Sequence, residues 1–180
     1  MYRLSNLAAI TPVAKQSING ESATAPRSDD RSKFYLHPGQ LFVSPDGYAV
    51  TTILGSCVSV CLWDPLTKIG GINHFLLPTD IGDELGSSLR FGNLAVRELI
   101  EEMLDLGAEP HQLRAKLFGG ACVLAAFRSR ESHLGTKNVK IAREVLDAAD
   151  IPIIGHDVGG DRGRKLIFHT DNGSAWVKQL

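Results

Sequence analysis

The sequence predicts an α+β domain with a β-rich, sandwich-like core flanked by two principal helices. Three observations lead there. Short runs of alternating apolar and polar residues recur along the chain, two longer stretches carry an apolar stripe at helical spacing, and Gly, Pro and Asp punctuate the joints between them. The 180 residues suffice for one core, and 43% hydrophobic with 22% charged residues is an ordinary globular balance.

The first half of the chain supplies most of the strands. Ser17 to Lys33 is rich in Ser, Asn, Gly, Thr and Asp, with few apolar anchors. Such a segment buries too little to offset its ordering entropy, so residues 1–33 are expected to be a flexible tail and 34–180 a single domain. Leu41 to Val43 and Tyr48 to Ile53 flank a Pro45-Asp46-Gly47 turn. Val58, Val60 and Leu62 alternate with Ser59, Cys61 and Trp63, a strand period that Asp64-Pro65 ends. Gly71 to Leu77 is the next apolar run, closed by Pro78, and Thr79 to Ser88 reads as a surface loop.

Helices follow. Over Leu94 to Leu106, Val96, Leu99, Ile100, Met103 and Leu104 fall on one stripe, with Gly107 as the stop. Arg114 to Phe118 reads as a strand leading into Gly119-Gly120-Ala121. Thr136 to Ala149 is the second helix, with Val139, Ala142, Val145, Leu146 and Ala149 inward. Ile151 to Ile154 and Lys165 to His169 are strands around a glycine-rich loop.

Composition also narrows the function. A net charge of -1 gives no reason to expect a nucleic acid partner. No apolar run approaches the roughly 18 residues of a membrane span, and Met1 to Pro12 lacks the pattern of a signal peptide. Three cysteines, Cys57, Cys61 and Cys122, do not make a disulfide framework. The expected setting is a reducing cytoplasm with free thiols, without membrane insertion.

One of those thiols is placed for chemistry. Cys57 ends Leu54-Gly55-Ser56-Cys57 between two strand-like runs, where Gly55 permits a sharp or left-handed turn. If Trp63 faces Lys68 across the hairpin, Cys57 lies opposite His74, and a shift of one or two residues keeps them neighbours. An adjacent imidazolium would stabilise the thiolate as a nucleophile. The backbone N–H groups around Gly55, Ser56 and Cys57 are candidates for an oxyanion site. A third group must orient the imidazole. Thr51 is the first choice, with Thr52 and Ser56 as alternatives. The competing reading is a buried core cysteine beside a satisfied core histidine.

Other features point to no cofactor. Gly159 to Lys165 lacks the Lys-Ser/Thr pair of a phosphate-binding loop. It is a turn, or a site where Arg162 and Arg164 steer an acidic partner. Cys57, Cys61 and His74 lack a fourth ligand for zinc. Gly119 and Gly120 fit either a groove wall or a bulge at a sheet edge.

Several motifs in one order resemble the chemoreceptor glutamine deamidase family CheD. They are Thr51-Thr52-Ile53-Leu54-Gly55-Ser56-Cys57, Gly71-Ile72-Asn73-His74-Phe75, Arg90-Phe91-Gly92, Lys116-Leu117-Phe118-Gly119-Gly120-Ala121, Asn138-Val139 and Asp157 to Lys165. The resemblance implies a Cys–His–Thr set at Cys57, His74 and Thr51. It implies hydrolysis of receptor glutamines to glutamate with release of ammonia, and a fold like bacterial toxin deamidase domains. It also implies chemotaxis receptors, and in some species the phosphatase CheC, as partners. Phe91 and Lys137 stand where tyrosine and arginine are frequent in the family. Two rival functions are a non-catalytic module binding receptors or CheC, and another cysteine hydrolase such as a peptidase or transglutaminase.

Overall fold

In the computed structural model, the described residues are 31–79, 88–124, 126 and 133–180. They form nine strands and two α-helices: β1 Ser32–Tyr35, β2 Gln40–Ser44, β3 Tyr48–Leu54, β4 Val58–Trp63, β5 Gly70–His74, α1 Gly92–Asp105, β6 Arg114–Gly119, α2 Leu134–Ala148, β7 Ile153–Val158, β8 Arg164–His169 and β9 Ala175–Gln179. One sheet runs β1-β3-β8-β9 and the other β2-β5-β4-β6-β7.

The strand period divides the core in two. Val50, Leu54, Leu166 and Phe168 of the smaller sheet meet Cys61, Ile72 and Phe118 of the larger one. On the opposite face of the larger sheet, Val58, Val60, Leu62, Ala115 and Leu117 pack under both helices, against Ala95, Val96, Leu99, Met103, Ala142, Val145 and Leu146. The α+β sandwich predicted from sequence is therefore present, with both helices on one side. Alternation makes β4 serve both cores, which is why all but its last residue are buried.

The β4–β5 hairpin differs in register from the expectation. Trp63 pairs with Gly70, not Lys68, and Cys61 with Ile72. Asp64 is the reason. Its carboxylate accepts N–H bonds from Leu66, Thr67 and Glu109. Its backbone closes a longer turn through Lys68 N–H to Asp64 O and Asp64 N–H to Ile69 O. Lys68 takes φ 64° to complete it. The turn thus uses two more residues on its second arm than a tight hairpin would.

Farther along the same pair, the buried Asn73 side chain replaces a backbone bond. Its Oδ1 accepts from Val60 N–H at 2.9 Å, and its Nδ2 donates to Ala95 O at 3.0 Å in α1. One side chain thus ties both central strands to the helix.

The strands β1 and β9 were not expected. β1 begins at Ser32, so the predicted tail overlaps it by two residues, and residues 1–30 lie outside the described residues. Most of the loop expected over Thr79 to Ser88 lies outside them too. In α2 the stripe differs at its ends. Asn138 is buried within it, and Ala149, expected inward, is exposed.

Replacing Asn73 with alanine strands the buried N–H of Val60 and cuts the tie to Ala95 O, which keeps its helical partner. Asn73→Ala is expected to lower stability by about 2–3 kcal/mol and Tm by roughly 5–10 °C. Urea and thermal unfolding measure this, and a loss below about 0.5 kcal/mol would contradict it.

Candidate active site

Three residues, Gly55-Ser56-Cys57, carry the chain from β3 in one sheet to β4 in the other. The crossing sits at the sandwich rim, which leaves Cys57 only partly buried against the inter-sheet core. Each of its three carbonyls is held. Ala121 N–H donates to Gly55 O and Gly120 N–H to Cys57 O, both at 2.8 Å. Asn138 Nδ2 donates to Ser56 O at 3.0 Å and also to Leu76 O at 2.8 Å. The N–H groups of Ser56 and Cys57 find no acceptor among the described residues.

Gly119 and Gly120 are what let the neighbouring segment come so close. Gly119 has φ +104°, and a Cβ there would stand 2.2 Å from Cys57 O. Both glycines are buried. Their positive φ values and close approach to Cys57 fit the tight bend at the sheet edge, one of the two readings the sequence left open. Gly55 does not take a positive φ. Its constraint is space, since a Cβ would lie 3.2 Å from Val123 Cγ2.

His74 ends β5 and is 1% exposed. The isolated bridge between Val58 and Phe75 continues the hairpin register past Asn73. It sets His74 across from Ser59, so Cys57 is its diagonal neighbour and not its direct partner. Diagonal positions on one face sit roughly 7–8 Å apart, within reach of a thiol and an imidazole.

Thr52 orients the ring. Its Oγ1 lies 2.8 Å from His74 Nδ1 and donates to Leu36 O at 2.9 Å. A hydroxyl has one proton. With that proton on Leu36 O, Thr52 accepts from Nδ1–H, and Nε2 carries the free lone pair. Nε2 is buried and has no hydrogen-bond partner among the described residues. This corrects the assignment of Thr51. Along β3, Val50, Thr52 and Leu54 face inward, whereas Thr51 lies on the outer face between Tyr35 and Ile167.

The charge state differs from the expected ion pair as well. Burial pushes the Cys57 thiol up, opposed in part by its own backbone N–H. Burial, and then the neighbouring His37, pull His74 down to about 4. Low dielectric disfavours both charged forms, so the resting site holds a thiol and a neutral imidazole. No hydrogen bond joins Cys57 Sγ to His74. Cys61 is sealed in the inter-sheet core, and burial pushes its thiol far up.

Arg164, expected to meet an acidic partner, is 1% exposed. Its guanidinium binds Asp157 O, Asp157 Oδ1 and Gly159 O. That fixes the glycine loop, which in turn bonds the Gly119–Cys122 segment through Gly159 N–H to Gly119 O and Cys122 N–H to Gly160 O. Arg162 is exposed. Asn138 entered the sequence reading only as part of the motif that opens the second helix, although its place four residues before Ala142 put it on the buried stripe.

The CheD chemotactic sensory transduction family matches residues 76–179, a stretch that begins just after His74. A probable chemoreceptor glutamine deamidase CheD 1 of Anaeromyxobacter dehalogenans is 51% identical over 155 residues, 86% of this chain and 89% of that protein. A probable chemoreceptor glutamine deamidase CheD of Stenotrophomonas maltophilia is 47% identical over 81% of this chain and 72% of its own length. The crystal structure of Bacillus licheniformis hypothetical protein YfiH aligns with TM-score 0.40 and 16% identity, covering 62% of this chain and 50% of that one. The identity and coverage shared with these deamidase relatives establish that the chain belongs to the CheD family.

Proposed function

We propose that this chain hydrolyses glutamine side chains of chemotaxis receptors to glutamate, with Cys57 as nucleophile and His74 as its base. The observation that carries the reading is the Thr52–His74 hydrogen bond, in which Thr52, its own proton on Leu36 O, accepts from Nδ1–H. It leaves Nε2 unprotonated and unpartnered, diagonal to a thiol whose flanking N–H groups are open.

The steps balance with water as the only co-reactant. The thiol proton passes to Nε2 as Sγ bonds to the glutamine Cδ and the carbonyl electrons move onto Oε1. The N–H groups of Ser56 and Cys57 are the donors for that oxyanion. The C–N bond then breaks, and the Nε2 proton leaves with nitrogen as ammonia. Water adds to the thioester, giving its proton to Nε2. The C–S bond breaks, and the sulfur recovers a proton.

Each turnover turns a neutral side chain into a carboxylate. Thr52 supports the base through Nδ1. No described helix is long and apolar enough to cross a membrane. The reading puts the protein in the cytoplasm on receptor cytoplasmic helices, with CheC as a partner where the host carries it. Exposed Arg162 is the remaining candidate for steering an acidic receptor helix.

The deciding experiment incubates a receptor cytoplasmic fragment with wild type and with Cys57→Ala. Wild type is expected to add about 1 Da at specific glutamines, and the variant none. Equal peptide masses, or cleavage or cross-linking in place of the shift, would end the deamidase reading.

Thr52→Val removes the acceptor of Nδ1–H and is expected to lower kcat by roughly 100-fold. Thr51→Val should stay within about twofold of wild type, because that side chain faces away from the site. The reverse order would restore Thr51 as the orienting residue.

Nε2 must be unprotonated to accept the thiol proton, so activity is held above the pKa of His74 and lost as pH falls through it. An NMR titration of the His74 ring should find its midpoint at about 4. A midpoint at or above the ordinary imidazole value of about 6.5 would contradict a desolvated base.

A further inference from the structure

Asn138 sits where an apolar residue would be expected. It is fully buried on the helix stripe that includes Ala142, Val145 and Leu146. Its amide donates both hydrogens to carbonyls, Ser56 O and Leu76 O, and its own Oδ1 is buried without a partner. A buried oxygen left without a partner destabilises the fold, so packing alone does not account for asparagine here.

The target of the amide suggests its use. In a trans peptide the C=O and N–H point in opposite directions. Fixing Ser56 O towards α2 therefore aims the N–H of the next residue, Cys57, away from the helix. That N–H has no acceptor among the described residues. We infer that Asn138 is a positioning residue for the oxyanion site: its amide locks the Ser56–Cys57 peptide plane so that the Cys57 N–H meets the developing Oε1 charge of the substrate.

This rests on the deamidase reading, and the test separates the two. Deamidation passes through an oxyanion, whereas alkylation of a thiol by iodoacetamide does not. Both are measured on the full chain, for wild type, Asn138→Ala and Asn138→Ser. The serine variant keeps one hydroxyl donor and serves if the alanine variant does not melt cooperatively.

Deamidation kcat on a receptor fragment is expected to fall roughly 10- to 100-fold, approaching the loss of an oxyanion donor. KM should stay within about twofold, and the rate and pH midpoint of Cys57 alkylation should not change, because the thiol itself is left in place. An unchanged kcat would overturn the inference. So would alkylation that falls in the same proportion as kcat, since Asn138 would then merely seat the thiol. If wild type is alkylated at Cys57 yet makes no glutamate, the deamidase reading fails, and this inference falls with it.

Discussion

Everything chemical in this molecule depends on how three peptide units are held as they pass from one sheet to the other. A crossing at a sandwich rim exposes backbone that no ladder satisfies. Here each carbonyl of Gly55, Ser56 and Cys57 has a donor, drawn from the β6 exit and from α2. Pinning every acceptor fixes the orientation of every donor. The N–H groups of Ser56 and Cys57 are left over by that arithmetic, beside the Cys57 thiol. The same bonds join distant parts of the sequence, so the site exists only when both sheets and the second helix are in place.

Burial shapes the reactivity as strongly as geometry does. A surface cysteine near a histidine would rest as an ion pair. Between two packed sheets, separated charges lack water, and both groups rest neutral. In the proposed mechanism charge develops only during attack, when the open N–H groups and the Nδ1–Thr52 bond can stabilise it. Thr52 matters because the unpaired form of Nδ1–H would itself be a buried donor without an acceptor. Its hydroxyl does two jobs only because Leu36 O takes its proton.

The legible parts of the sequence were those set by periodicity. Both helices and seven of the strands follow from apolar spacing and turn residues. β9 was missed although Ala175-Trp176-Val177-Lys178 alternates, because it is short and its largest residue, Trp176, faces solvent. The choice of Thr51 over Thr52 failed for a related reason. Ala49, Thr51 and Ile53 are nearly as apolar as Val50, Thr52 and Leu54, so neither set marks the inner face of β3. The hairpin register depended on an aspartate whose three N–H partners include Glu109, far along the chain. Cys57 and His74 still share a face, because a two-residue slip preserves the face and changes a direct pair into a diagonal one.

The glycine loop shows why a charged motif can mislead. Read as sequence, Asp161-Arg162-Gly163-Arg164-Lys165 is a basic patch. In the fold, the second of its arginines points inward and binds two carbonyls and a carboxylate of its own loop. A guanidinium has five donors, and a buried one is tolerated only where acceptors surround it. Those acceptors belong to Asp157 and Gly159, and the loop they shape holds Gly119 and Cys122 from behind. That segment in turn holds the carbonyls of Gly55 and Cys57. Arg164 therefore reaches Cys57 through two layers of backbone, and its charge acts on the fold, whereas its neighbour Arg162 is exposed.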